Sequence, residues 1–180
     1  MSQKITTYAL GVDTDLTTPT ATKNPSYQLG DELILWDEDY KSRKVYQYIY
    51  SSTGCTAYQP FLIRHTGTAG TEVQTNIANV SVPKKTWQLG IPQVAITSGY
   101  YGFVQTEGVG TGLVTTNSSG YIAGARMTWT KDATSLVGST VLIENAQTVA
   151  YLVTATSGSS GKIYMTGKPV IVLSTSGAIV

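Results

Sequence analysis

The chain has 180 residues, 41% of them apolar and 13% charged, with a formal net charge of +1, one cysteine and one histidine. This length and apolar share suit one domain with a buried core, or a compact domain plus an arm. The balance of charge leaves no electrostatic footprint for nucleic acid, the lone cysteine excludes an internal disulfide framework, and Cys and His are too few for a structural zinc site within one chain.

The charged share lies well below the roughly 25% of a typical soluble domain. A surface rich in Thr, Ser, Tyr and Gly suits a protein that works in an assembly, because free-standing proteins use charge to stay apart. No stretch approaches the roughly 18 apolar residues of a membrane span. Met1 to Tyr8 contains no apolar signal region. The chain is therefore expected to be made in a cytoplasm, to have no membrane partner and to stay soluble until it assembles.

Gln3–Val12 reads as a first strand. Asp13 to Gly30, with Pro19 and Pro25 among Thr, Ala and Asn, reads as extended coil that needs a surface to lie on. Residues 1–30 are thus expected to form a strand and arm, and residues 31–180 the folded domain. Glu32–Trp36 is a near-continuous apolar run, as in a strand covered on both faces. Asp37–Arg43 makes a charged turn, and Lys44–Ser51 returns as the hairpin partner. In that partner Tyr46, Tyr48 and Tyr50 share one face, and Val45, Gln47 and Ile49 the other.

Thr53 to Gly70 is irregular apart from a short strand at Phe61–Ile63. Thr75–Val82 reads as a strand, with a short helix over Glu72–Asn79 as the alternative, and Pro83 closes it. Alternation at Val94 and Ile96, a turn at Ser98-Gly99 and a return from Tyr100 to Glu107 describe a tight hairpin. Leu113–Thr116 and Tyr121–Ala123 flank the turn residues Asn117–Gly120. Ala125, Met127 and Trp129 alternate with Arg126, Thr128 and Thr130. Runs at Thr140–Glu144, Val149–Ala155, Ile163–Met165 and Val170–Leu173 complete the chain, with Ser157–Gly161 as a flexible turn. One strand every 10 to 12 residues or so, with almost no helical period, is the signature of an all-β sandwich or barrel. A β-tulip or SH3-like arrangement fits among these.

Candidate chemistry is sparse. His65, between Arg64 and Thr66, has no nucleophile elbow nearby; a polar rim or interface contact suits it better. Asp13-x-Asp15 and Asp37-Glu38-Asp39 lack the continuation of an EF-hand and read as solvated turns. The acids are scattered in turns and strand ends, with no marked pair for glycoside hydrolysis. Gly108-Val109-Gly110-Thr111-Gly112 resembles a phosphate loop, but no helix follows to hold an anion, so a bulge or loose hairpin between two strands is expected. The Tyr46, Tyr48, Tyr50 stripe can serve as a stacking platform for sugars, as a protein interface, or as cross-strand pairs at the core edge. No catalytic residue, metal ligand or cofactor is expected.

Three blocks carry a family resemblance: Leu89–Ile96, Ser98–Gly108, reading Ser-Gly-Tyr-Tyr-Gly-Phe-Val-Gln-Thr-Glu-Gly, and Gly124–Trp129. Together they resemble the small β-rich structural proteins of tailed bacteriophages that accompany HK97-like capsids, many of them head-decoration or minor head proteins. Leu29-Gly30 through Trp36 to Tyr48 resembles the opening of the same proteins, so about half of the chain is covered. The chain departs from that pattern where many relatives have a plain Asp-Gly turn and this sequence has Asp39–Arg43. Its N-terminal segment does not match the lambda-type decoration protein, so threefold trimerisation is not carried over.

The resemblance implies a non-enzymatic capsid decoration (cement) protein on the outer surface of the virion head. Its partners would be the major capsid protein and neighbouring copies of itself, with no membrane or nucleic acid contact. An extended arm can add a strand to a partner's sheet, and the expected interface residues are Tyr8, Leu16, Pro19, Pro25, Tyr27, Tyr46, Tyr48 and Tyr50. A tail- or fibre-associated receptor- or glycan-binding module using the tyrosine face is the alternative.

Overall fold

A computed structural model describes residues 27–66, 70–74, 88–115, 120–128, 134–139, 148–156 and 158–167. Among them the architecture is all-β: β1 (Glu32–Asp37), β2 (Ser42–Ser51), β3 (Phe61–Thr66), β4 (Gly70–Gln74), β5 (Gln88–Gly90), β6 (Tyr100–Thr115), β7 (Arg126–Thr128), β8 (Leu136–Ser139), β9 (Ala150–Leu152) and β10 (Ser160–Thr166). The expected strand at Gln3–Val12, most of Thr75–Val82, Trp129, Thr140–Glu144 and Val170–Leu173 lie outside the described residues.

All ten strands belong to one sheet organised around the 16-residue β6. On one side the pairing order runs β10–β9–β7–β8–β6, and β10 also pairs β6, closing a barrel. On the other side it runs β6–β2–β4–β3–β5, and Ile91, just beyond β5, bridges back to Gln105 of β6. Of the sandwich and the barrel, the chain therefore builds the barrel, and closure removes most of the free edges that an open sheet would expose.

Each ring has its own core. Ile91, Val114, Met127, Leu136, Leu152, Ile163 and Met165 fill the first, and Ile49, Phe61, Ile63, Ile96 and Val104 the second. Ladder partners share a face, and Glu107, which pairs with Thr166 outside the first barrel, also pairs with Val45, on the face of Ile49. The outside of one barrel is thus continuous with the inside of the other. The sheet rolls in opposite directions on the two sides of β6.

The switch occurs at a β-bulge where Val45 pairs with Glu107 but Tyr46 with Gln105. Buried Gln105 donates its side-chain amide to the carbonyls of Glu107 and Val109, both at 3.1 Å. Between them Gly108 has φ +89°, and a Cβ there would lie 2.3 Å from the Arg43 carbonyl oxygen. Of the bulge or loose hairpin expected between two strands, the bulge is present just before Gly108, but Gly108–Gly112 lies inside one continuous strand and does not join two. Its glycines admit neighbouring side chains, since a Cβ on Gly112 would lie 2.6 Å from Ile163 Cδ1.

Other expectations change for identifiable reasons. Glu32–Trp36 is not covered on both faces: β1 lies at the end of a ladder with β2, so Leu33 and Leu35 are buried while Ile34 and Trp36 are 46% and 41% exposed. Residues 93–97 do not form the first arm of a hairpin. Ile96 makes one bridge, to Cys55, and the Ser98-Gly99 turn returns into β6 beside β2. Residues 72–74 are strand, not the start of a helix. β8, Leu136–Ser139, had no sequence expectation.

Candidate interaction surface

The hairpin of β1 and β2 is built around its charged turn. The Asp37 carboxylate accepts from the N–H groups of Asp39 (3.0 Å) and Tyr40 (3.3 Å) and pairs with Lys44 at 2.7 Å. Burial pushes the Asp37 pKa up, but the hydrogen bond and charge of Lys44 and the two backbone donors outweigh it, so the net shift is down. This acid is thus committed to holding a turn. Asp13 and Asp15 lie outside the described residues.

The three tyrosines expected on one face of β2 do share it, but other rings cover them. Tyr48 pairs across the ladder with Phe103, and Tyr50 with Tyr101. Tyr48 stacks on Tyr101 with centroids 6.0 Å apart, and Tyr27 packs edge-on against both Tyr48 (5.2 Å) and Phe103 (5.1 Å). Tyr46 packs with Leu33, Leu35 and Phe103, and burial raises its pKa to about 12. Tyr46 and Tyr48 are buried, and Tyr27 and Tyr50 are half-buried. The cross-strand alternative describes this geometry. Tyr8, Leu16, Pro19 and Pro25 lie outside the described residues.

Exposed aromatic side chains gather on the opposite sheet face. Trp36 pairs with Arg43, whose guanidinium forks onto Glu107 at 2.7 and 2.8 Å. Past Glu107, Val109 pairs with Tyr164, Tyr164 with Tyr151, and Tyr151 with Arg126. Trp36, Tyr151 and Tyr164 are 41%, 41% and 38% exposed, and both arginines reach solvent. The hydrogen bond and charge of Glu107 push the Arg43 pKa up, and Tyr164 and Glu32 lie close enough to add to the effect. The result is a row of aromatic and guanidinium groups across β1, β2, β6, β10, β9 and β7, the side-chain types that dominate protein interfaces.

Sequence reasoning missed this row. Its signal was present in Ala150-Tyr151-Leu152 and Ile163-Tyr164-Met165, where a tyrosine between two core residues must point outward by strand alternation. His65 lies in β3 with Thr71 as its ladder partner, away from this face's ladders. Cys55 is buried against Ser51 Oγ (3.2 Å), and burial raises its thiol to about 11, although the Ser51 contact lowers it slightly. A thiol held protonated in this way is a poor nucleophile. Among the described residues, no group of three or more His, Cys, Asp or Glu is placed to hold a metal ion.

No family model matches the chain, and no curated protein does. Among solved structures it is similar to the N base of the head fibre gp8.5 of bacteriophage phi29, at 14% identity and a TM-score of 0.45, over 71% of this chain and 98% of that one. A likeness of that degree assigns this chain neither a family nor a function.

Proposed function

We propose that this protein is a non-enzymatic structural component of a bacteriophage particle. It would bind the outer surface of the head shell and stabilise contacts between capsomers, with the major capsid protein and neighbouring copies as partners and no cofactor. The observation that carries the reading is the exposed row Trp36, Arg43, Tyr164, Tyr151 and Arg126 on the doubly rolled sheet. The phage-like blocks at Leu89–Ile96, Ser98–Gly108 and Gly124–Trp129 and the low charge support it. A ligand that binds only the assembled shell shifts the equilibrium toward assembly by mass action.

The test adds purified protein to shells that lack it and counts bound copies. Hundreds per particle, with higher resistance of the shell to heat, are expected, and Trp36→Ala plus Tyr164→Ala should lower occupancy at least tenfold. Full occupancy by that double variant would remove this face from the reading. A second reading, a glycan- or receptor-binding tail module, draws on the same exposed rings, since aromatic faces stack on sugars. About a dozen copies per particle or fewer, with glycan binding lost in the double variant, would favour it.

A further inference from the structure

We infer that the outer edge of β1 is a self-association edge, through which two copies join their sheets about a twofold axis at Ile34. The inference goes beyond the shell reading and does not rest on it. Tyr48 donates its N–H to the Asp31 carbonyl at 2.8 Å, and Gly30 donates to the Tyr48 carbonyl at 2.9 Å. Antiparallel ladders alternate between residues bonded toward the partner and residues bonded away from it. From the Asp31–Tyr48 pair onward, Leu33, Leu35 and Asp37 face β2, and Glu32, Ile34 and Trp36 turn their N–H and C=O groups outward. Among the described residues β1 has no other ladder partner.

Natural edges are usually guarded by lysine, proline, a bulge or a cover. Here the outward-turned residues are Glu32, Ile34 and Trp36, and the register from Glu32 to Asp37 runs without a bulge. The segment is also self-complementary. Leu33-Ile34-Leu35 reads the same in both directions, so an axis at Ile34 sets Ile34 against its own copy and Leu33 against Leu35 of the second copy. Glu32 then faces Trp36 of the second copy, with that copy's Arg43 one strand further in and held by its own Glu107. This axis makes three mutually hydrogen-bonded pairs (Glu32–Trp36, Ile34–Ile34, Trp36–Glu32). An axis at Leu35 makes two and sets Asp37 against Leu33. Bond count therefore chooses the first register.

The test uses the full chain. Sedimentation over a wide concentration range should show a monomer–dimer equilibrium. Ile34→Pro should abolish the dimer without loss of circular dichroism, because the N–H it removes faces outward and proline is tolerated on an edge. A hydrogen-bonded antiparallel pair holds its Cα atoms about 5.5 Å apart, inside the roughly 4.4–6.8 Å range of a disulfide. Mild oxidation should therefore link Ile34→Cys into a covalent dimer and leave Trp36→Cys unlinked, while buried Cys55 takes no part. A chain that stays monomeric throughout, a dimer that survives Ile34→Pro, or equal cross-linking of the two cysteine variants would overturn the inference.

Discussion

Asp37 shows how one side chain supports a whole turn. It accepts from two backbone N–H groups and pairs with Lys44, whose side chain is only 14% exposed. Asp37→Ala strands that ammonium in a half-buried site and should cost about 2–3 kcal/mol. The pH dependence has a fixed sign. The folded-state pKa of Asp37 is depressed, so the unfolded chain binds the proton first as pH falls. Its contribution is complete above the unfolded carboxylate value of about 4 and is lost as pH falls through the lower folded value. Urea melts of wild type and Asp37→Ala should therefore differ most near neutrality and converge in strong acid. A difference that persists unchanged in acid would mean packing, not ionisation, is responsible.

The long strand β6 is the element on which the fold turns, and Gly108 is its narrowest point. Gly108 and Gly99 both have positive φ, but a Cβ on Gly99 meets nothing within 4 Å, whereas one on Gly108 meets the Arg43 carbonyl at 2.3 Å. Gly99→Ala should cost only the left-handed backbone penalty, about 1–2 kcal/mol. Gly108→Ala must also push β2 from β6 and disturb the carbonyls that Gln105 holds, so about 3 kcal/mol or more is expected. Thermal melts of the two variants measure the contrast directly. Similar losses would show that the bulge relaxes freely.

For the whole molecule, the two cores share β6 and cannot be lost independently without breaking its ladders to β2 and β10. Met127→Ala in one core and Ile49→Ala in the other each remove a fully buried side chain, at about 2–5 kcal/mol apiece. Both should shift one common unfolding transition, seen alike by tyrosine absorbance and circular dichroism. Two separated transitions, each moved by one variant only, would show that the barrels are independent units.

Much of this was legible in the residues themselves. The β-branched and aromatic runs, the turn at Asp37–Arg43, the Ser98-Gly99 turn and the shared face of Tyr46, Tyr48 and Tyr50 all follow from strand alternation and turn chemistry, which act over a few neighbouring residues. The absence of helix-period patterning likewise declared an all-β chain. Tertiary structure decided what each face meets. It placed Tyr27, Tyr101 and Phe103 over the tyrosine stripe, left Ile34 and Trp36 uncovered, and set Tyr151 beside Tyr164 from strands that local pattern cannot order. The reason is physical. Alternation says which residues share a face, but whether that face is core or surface depends on which way the sheet rolls, and here a bulge between Val45 and Tyr46 makes it roll both ways.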